Sequence, residues 1–310
     1  MPKKPITQHA MRKIVGVVFD ADTQAYLERK HTGGVSGKKG TRYEDLVATA
    51  KMAKLASDYL RKPASKWPLI EEQAYAFVDD VITKEAKKTR YYQCKNVKSL
   101  SWGGGTRPIK DDFRKQLQLC DACNEPNPSV RLVVSKKSLA RGLKKRLPAS
   151  LQKRASVEHF PASSTVNQLI FKNKALRKWL RSLARKAHAT QDDLEVAFKA
   201  LLSAWIHLDG ASNLYDLVTV ARKQSPQVIR AFPVKKVSKV SAPPRFVQAL
   251  AGIPDLTYDL DRGFFSWNYA KKGMSGILPE DCDSEEFKRF VERVVKTPPT
   301  TFEDFWAQLP

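Results

Sequence analysis

The chain is poor in cysteine, in acidic charge and in long apolar runs, and each shortage excludes a class of protein. Four cysteines in 310 residues (Cys94, Cys120, Cys123 and Cys282) are too few for a disulfide scaffold and suit a reducing compartment. Cys120 and Cys123 have the spacing of half a zinc site, but no second Cys/His pair stands at ligand spacing to complete it. No apolar run approaches the ~20 residues of a membrane-spanning helix; the early stretch Ile14–Phe19 ends at Asp20. Behind the basic start Met-Pro-Lys-Lys-Pro there is neither an apolar region nor a small-residue cleavage site, so export is not expected and no membrane is implied. None of the five histidines forms a pair at metal spacing, and Gly33-Gly-Val-Ser-Gly-Lys-Lys lacks the spacing of a phosphate-binding Walker loop.

What the chain has in excess is positive charge. Fifty-five Lys and Arg against thirty-two Asp and Glu give +23, and the excess is uneven: +16 over residues 1–150, +11 over 151–250 and −4 over 251–310. A field of that sign over 250 residues concentrates polyanions and favours nucleic acid as partner. Between Arg131 and Arg154 there are nine basic residues and no acid, a stretch able to track a duplex backbone.

Hydrophobic periodicity predicts a strand over Ile14–Phe19, then a Gly-rich basic loop over 31–42 that His31 opens and that leads into a helix over Tyr43–Leu60. Strands over Tyr75–Thr83 and Arg90–Val97 are joined by the short polar segment Lys84–Thr89, as in a hairpin. A helix over Asp111–Cys123 and a buried strand over Val130–Ser135 complete an α/β core. From about residue 155 the pattern turns helical. Val166–Leu183 carries apolar residues at 3–4 residue spacing, with Lys172, Lys174, Arg177, Lys178, Arg181 and Arg185 on its other face. Further helices are expected over Asp192–Leu208, Asn213–Lys223 and Ser284–Val295. A basic connector over Ala231–Pro244 and a hairpin formed by Leu256–Tyr258 and Gly263–Trp267 lie between the last two. Two domains follow, residues 1–155 and a mostly helical 156–310, whose acidic end suits protein contact.

Chemistry is concentrated at three places. Gln93 and Lys95 share one face of a strand, Asp79 and Asp80 interrupt an apolar strand one hairpin earlier, and Glu44 opens the helix behind the glycine loop. Acids delivered from neighbouring elements beside a lysine are what phosphodiester hydrolysis requires: the acids hold Mg²⁺ (or Mn²⁺), and the lysine orients water or stabilises developing charge. The plain alternative is a cross-strand ion pair between Lys95 and Asp80.

The pattern Glu44 … Asp80 … Gln93-x-Lys95 on helix, strand and strand resembles the PD-(D/E)xK restriction-endonuclease-like superfamily, in the branch with a QxK third motif and a migrated glutamate, as in Mrr-like enzymes. Gly40-Thr-Arg-Tyr-Glu-Asp-Leu-Val-Ala, Phe77-Val-Asp-Asp-Val and Tyr91-Tyr-Gln-Cys-Lys-Asn are similar to nuclease effectors of bacterial antiphage defence, of the cyclic-oligonucleotide (CBASS-type) and Lamassu-type systems. The resemblance covers about residues 30–150. It implies a mixed sheet flanked by helices, with Glu44, Asp80 and Gln93 as metal ligands and Lys95 as catalytic residue; which of Asp79 and Asp80 binds metal stays open. Gln93 departs from the commoner glutamate, and Glu44 would supply the missing charge. The resemblance further implies a bacterial cytoplasmic endodeoxyribonuclease acting on double-stranded DNA. A homo-oligomer or a protein partner such as an SMC-like ATPase sensor would restrain it.

Lys38, Lys39, Arg42, Lys98, Lys136, Lys137, Arg141, Lys144 and Lys145 are the candidate DNA contacts. A non-catalytic nucleic-acid-binding subunit would use the same basic surface, and a nuclease acting on RNA would share the same site. No aromatic-interleaved single-strand platform favours RNA.

Overall fold

The N-terminal β-branched stretch is helical. A computed structural model of the chain describes residues 8–36, 42–62, 66–72, 74–105, 107–186, 188–207, 210–230, 242–261, 264–282 and 284–310. Helices α1 (Gln8–Val18) and α2 (Ala21–Ser36) form a hairpin, with Asp20 accepting from the Thr23 N–H at 2.8 Å at the start of α2. Met11, Ile14 and Val15 recur at helical spacing and meet Leu27, Phe77 and Leu119 in a small core, while Val17 faces solvent. The strand expected over Ile14–Phe19 is therefore mostly the second half of α1: its composition suits a strand, but one helical stripe finds a partner. Arg12 fastens the hairpin with two bonds to Glu28, at 2.9 and 3.1 Å. The first six residues of the expected glycine-rich loop, including His31, continue α2; residues 37–41, with Lys38 and Lys39, lie outside the described residues.

Helix α3 (Arg42–Arg61) matches the expected helix and is apolar nearly all round: Leu46, Val47, Ala48, Ala50, Met52, Ala53, Leu55 and Ala56 are all buried. A helix of that kind belongs in the middle of a core. One side of α3 packs on a six-stranded mixed sheet and the other on later helices. The sheet holds β1 (Leu69–Glu71), β2 (Val81–Glu85), β3 (Lys88–Lys95), β4 (Ser129–Val134), β5 (Ala155–His159) and β6 (Ser212–Asn213), in the order β5-β4-β3-β2-β1-β6. β3, β4 and β5 run parallel; β2 and β3 form the expected hairpin, with only Ala86 and Lys87 between them. Along β3 the side chains alternate as a strand requires. Tyr92 and Cys94 enter the core with α3, and Tyr91 enters the opposite core. That second core is closed by α4 (Ile109–Ala122) through Phe113, Leu117 and Cys120, and by α5 (Lys137–Lys145) through Ala140 and Leu143.

Asp79 and Asp80 do not interrupt a strand. Residues 75–80 are irregular, and β2 starts only at Val81. The backbone N–H groups of Phe77 and Val78 donate to the buried Gln116 Oε1 at 2.8 and 3.3 Å, so a side chain of α4 replaces a ladder partner.

Residue 155, the expected end of the first domain, opens β5, and the helices that follow share the core of α3. The stretch expected as one helix over Val166–Leu183 is two, α6 (Val166–Lys172) and α7 (Lys174–Leu183), broken at Asn173, whose side chain caps α7 by accepting from the Leu176 N–H at 3.0 Å. α8 (Gln191–Ile206) and α9 (Leu214–Gln224) lie where expected. Arg185 leaves the expected basic stripe. It is 1% exposed, donates to the Pro226 carbonyl at 2.9 Å and stacks 3.8 Å from the Phe264 ring centroid.

The C-terminal segment is not purely helical. α10 (Pro244–Leu250), α11 (Glu285–Lys296) and α12 (Phe302–Gln308) pack on an antiparallel sheet of β7 (Leu256–Asp261), β8 (Phe264–Tyr269) and β9 (Met274–Asp281). The hairpin β7–β8 was expected and β9 was not. Gly276 in β9 is required there because a Cβ would stand 2.6 Å from the Trp267 ring. Trp267 and Phe302 are core residues of this unit, and no described helix is long and apolar enough to cross a membrane.

Candidate active site and nucleic-acid interface

The parallel strands end together, Lys95 of β3 beside Val134 of β4 and Val134 beside His159 of β5. Asp80 reaches the same end of the sheet, because it directly precedes β2, whose Val81 pairs with Tyr92. In open α/β sheets this carboxyl end of the strands is where chemistry collects.

Asp80 is buried, and its Oδ2 accepts from Gln93 Nε2 and from the Cys94 N–H, both at 2.6 Å. Among the described residues no ion pair joins it to Lys95. Glu44, half-buried in the first turn of α3, has its pKa pushed up to about 8. Burial is the main cause, Asp80 adds repulsion and Lys95 opposes it. Asp79 is pushed up to about 7, again chiefly by burial, with Lys30 opposing and Asp80 adding.

Lys30, on α2, was no part of the expected site. Its ammonium lies 3.4 Å from Asp79 Oδ1, 3.4 Å from Asp112 Oδ2 and 3.5 Å from Gln93 Oε1, and it donates to the Phe77 carbonyl. Burial alone would lower its pKa, but Asp79 and Asp112 outweigh that and hold it above its ordinary value. Tyr26 donates to both Asp112 oxygens at 2.9 Å, which fixes that carboxylate on α4. These contacts set the Gln93 amide. An ammonium only donates and a carboxylate only accepts, so Oε1 faces Lys30 and Nε2 faces Asp80. The amide oxygen expected on a metal is thus on Lys30.

Among the described residues no three His, Cys, Asp or Glu side chains converge closely enough to cage a metal ion. A cage is not what Mg²⁺ needs: it keeps several waters and binds through one or two carboxylates together with substrate phosphate. Glu44 and Asp80 fit that requirement. They are two desolvated carboxylates near enough to repel, and a divalent cation would relieve that repulsion. No family model, curated protein or solved structure matches the chain.

A basic surface adjoins this end of the sheet. Two residues separate β4 from α5, and Ser135 donates its N–H to the Lys95 carbonyl at 3.3 Å. Ala140 and Leu143 anchor the helix, while Lys136, Lys137, Arg141, Lys144 and Lys145 are exposed; Lys98, three residues beyond Lys95, is exposed as well. The Arg42 side chain lies outside the described residues. Lys30 and Asp112 had no local signal in the sequence, because Lys30 reaches Gln93 across 63 positions and Asp112 across 82.

Proposed function

We propose that the chain is a metal-dependent nuclease of the PD-(D/E)xK restriction-endonuclease-like kind that hydrolyses phosphodiester bonds in double-stranded DNA. The observation that carries this reading is the convergence of Glu44, Asp80 and Lys95, from α3, the approach to β2 and the end of β3, beside the exposed basic face of α5. The succession α3, β2–β3 hairpin, α4 and parallel β4 supports it.

In this reading Glu44 and Asp80 would hold one Mg²⁺ or Mn²⁺, and the chemistry such an ion would supply is neutralisation of phosphate charge and a more acidic water. Gln93 and the Cys94 N–H keep Asp80 oriented. Lys95 places its ammonium where negative charge grows on the phosphoryl oxygens, or orients the attacking water. The basic residues of α5 and Lys98 hold the duplex backbone. As a free nuclease would damage its own host, the setting we favour is a bacterial antiphage or antiplasmid defence system. There the enzyme would be a homo-oligomer or be restrained by a partner such as an SMC-like ATPase sensor.

Plasmid cleavage with Mg²⁺ or Mn²⁺ tests the reading. Nicking or linearisation by the wild type, and none by Asp80→Ala or Lys95→Ala, is expected. One observation favours a second reading, a subunit that binds DNA without cutting it: the engagement of Gln93 and Asp79 by Lys30. Equal DNA binding by all three proteins, with no cleavage even beside the products of neighbouring genes, would establish it.

A further inference from the structure

Lys30 and the acids around it divide the site into two halves. One half holds Glu44, Asp80 and Lys95. The other holds Asp79, Asp112 and Gln93 Oε1, three oxygen ligands from the approach to β2, from α4 and from β3, and the Lys30 ammonium sits among all three. Oxygen donors around a centre are the preferred surroundings of a hard divalent cation. Here the centre is filled by the chain itself, by a side chain only 18% exposed and tied also to the Phe77 carbonyl.

We propose that Lys30 is the built-in cation of the site, standing where a second metal ion would bind, so that the protein takes one divalent ion and not two. The inference rests on the nuclease reading and deepens it. Lys30 is a positioning residue: it neutralises Asp79 and Asp112 and turns the Gln93 amide so that Nε2 supports Asp80. A second divalent ion would have to enter against a fixed positive charge, and would find the Gln93 oxygen already engaged. The α1–α2 hairpin thereby becomes part of the site, because α2 carries Lys30 and is held against Phe77 and α4 by its own small core.

Counting bound Mn²⁺ on the full chain by electron paramagnetic resonance of the free ion tests this without reference to cleavage. The wild type should bind one ion, and Asp80→Ala none. Lys30→Gln, which keeps a polar side chain but removes the charge, should bind two, and Lys30→Arg, which restores the charge, one. Two ions on the wild type, or one on a folded Lys30→Gln, overturns the inference and leaves the nuclease reading standing. No ion on the wild type overturns both. If Lys30→Gln does not fold, the same count on Lys30→Met, which removes the charge but keeps the length of the side chain, decides instead: two ions support the inference and one overturns it.

Discussion

The Gln93 amide bridges two opposite charges, its Nε2 lying 2.6 Å from Asp80 Oδ2 and its Oε1 lying 3.5 Å from Lys30 Nζ. An amide does this because it carries a donor and an acceptor on one rigid plane; a carboxylate in its place would suit Lys30 and repel Asp80.

Gln93→Glu should therefore destabilise the metal-free protein by about 2–3 kcal/mol, through a lost charge-assisted hydrogen bond and a new buried repulsion. Urea unfolding checks the value, and Mn²⁺ should recover part of the loss. A neutral effect would mean that the amide does not hold Asp80 as described.

Glu44→Gln should raise the stability of the metal-free protein while abolishing cleavage. A carboxyl group whose folded pKa is raised gives stability that is present at low pH and lost as pH rises toward about 8. The wild type should thus weaken relative to Glu44→Gln between about pH 5 and 8. After allowance for the solvent that reaches Glu44, the difference is roughly 1–2 kcal/mol. Parallel stability curves for the two proteins would contradict it.

Glu158 on β5 behaves in the opposite sense. Burial pushes its pKa up, but Lys51, whose Nζ lies 2.5 Å away, and then Arg131 and Arg90 outweigh burial and hold it below the usual value. Its stabilisation is present above the unfolded carboxyl pKa and lost as pH falls through the lowered folded one. Glu158→Gln should cost about 1 kcal/mol at neutral pH, given its partial exposure. The cost should shrink below about pH 4, as thermal melts across pH would show.

Replacing Arg141, Lys144 or Lys145 by alanine should weaken DNA binding with little change in melting temperature, because all three are exposed on α5. Each true phosphate contact should reduce the slope of log affinity against log salt by about 0.9. An unchanged slope in the triple variant would place the DNA elsewhere.

Periodicity and local chemistry already determined much of this protein. The helix α3, the β2–β3 hairpin, α4, β4, α8, α9 and α11 follow from runs of apolar residues that neighbours in sequence supply, although α3 is buried nearly all round and not on one face only. Glu44, Gln93 and Lys95 stand on the helix and the strand expected for them, whereas Asp80 lies just before β2 and not within a strand. Tertiary structure decided what depends on distant partners. Ile14–Phe19 became mostly helix because α2 and Phe77 offered its stripe a core, and residues 75–80 left the sheet because Gln116 satisfied their N–H groups. Arg185 was drawn from a basic stripe onto Phe264, and β9 pairs with β8 where Gly276 leaves room for the Trp267 ring. Lys30 entered the site from a helix with no local mark of function. Burial of its ammonium is tolerable only when Asp79 and Asp112, brought from two other elements, stand beside it.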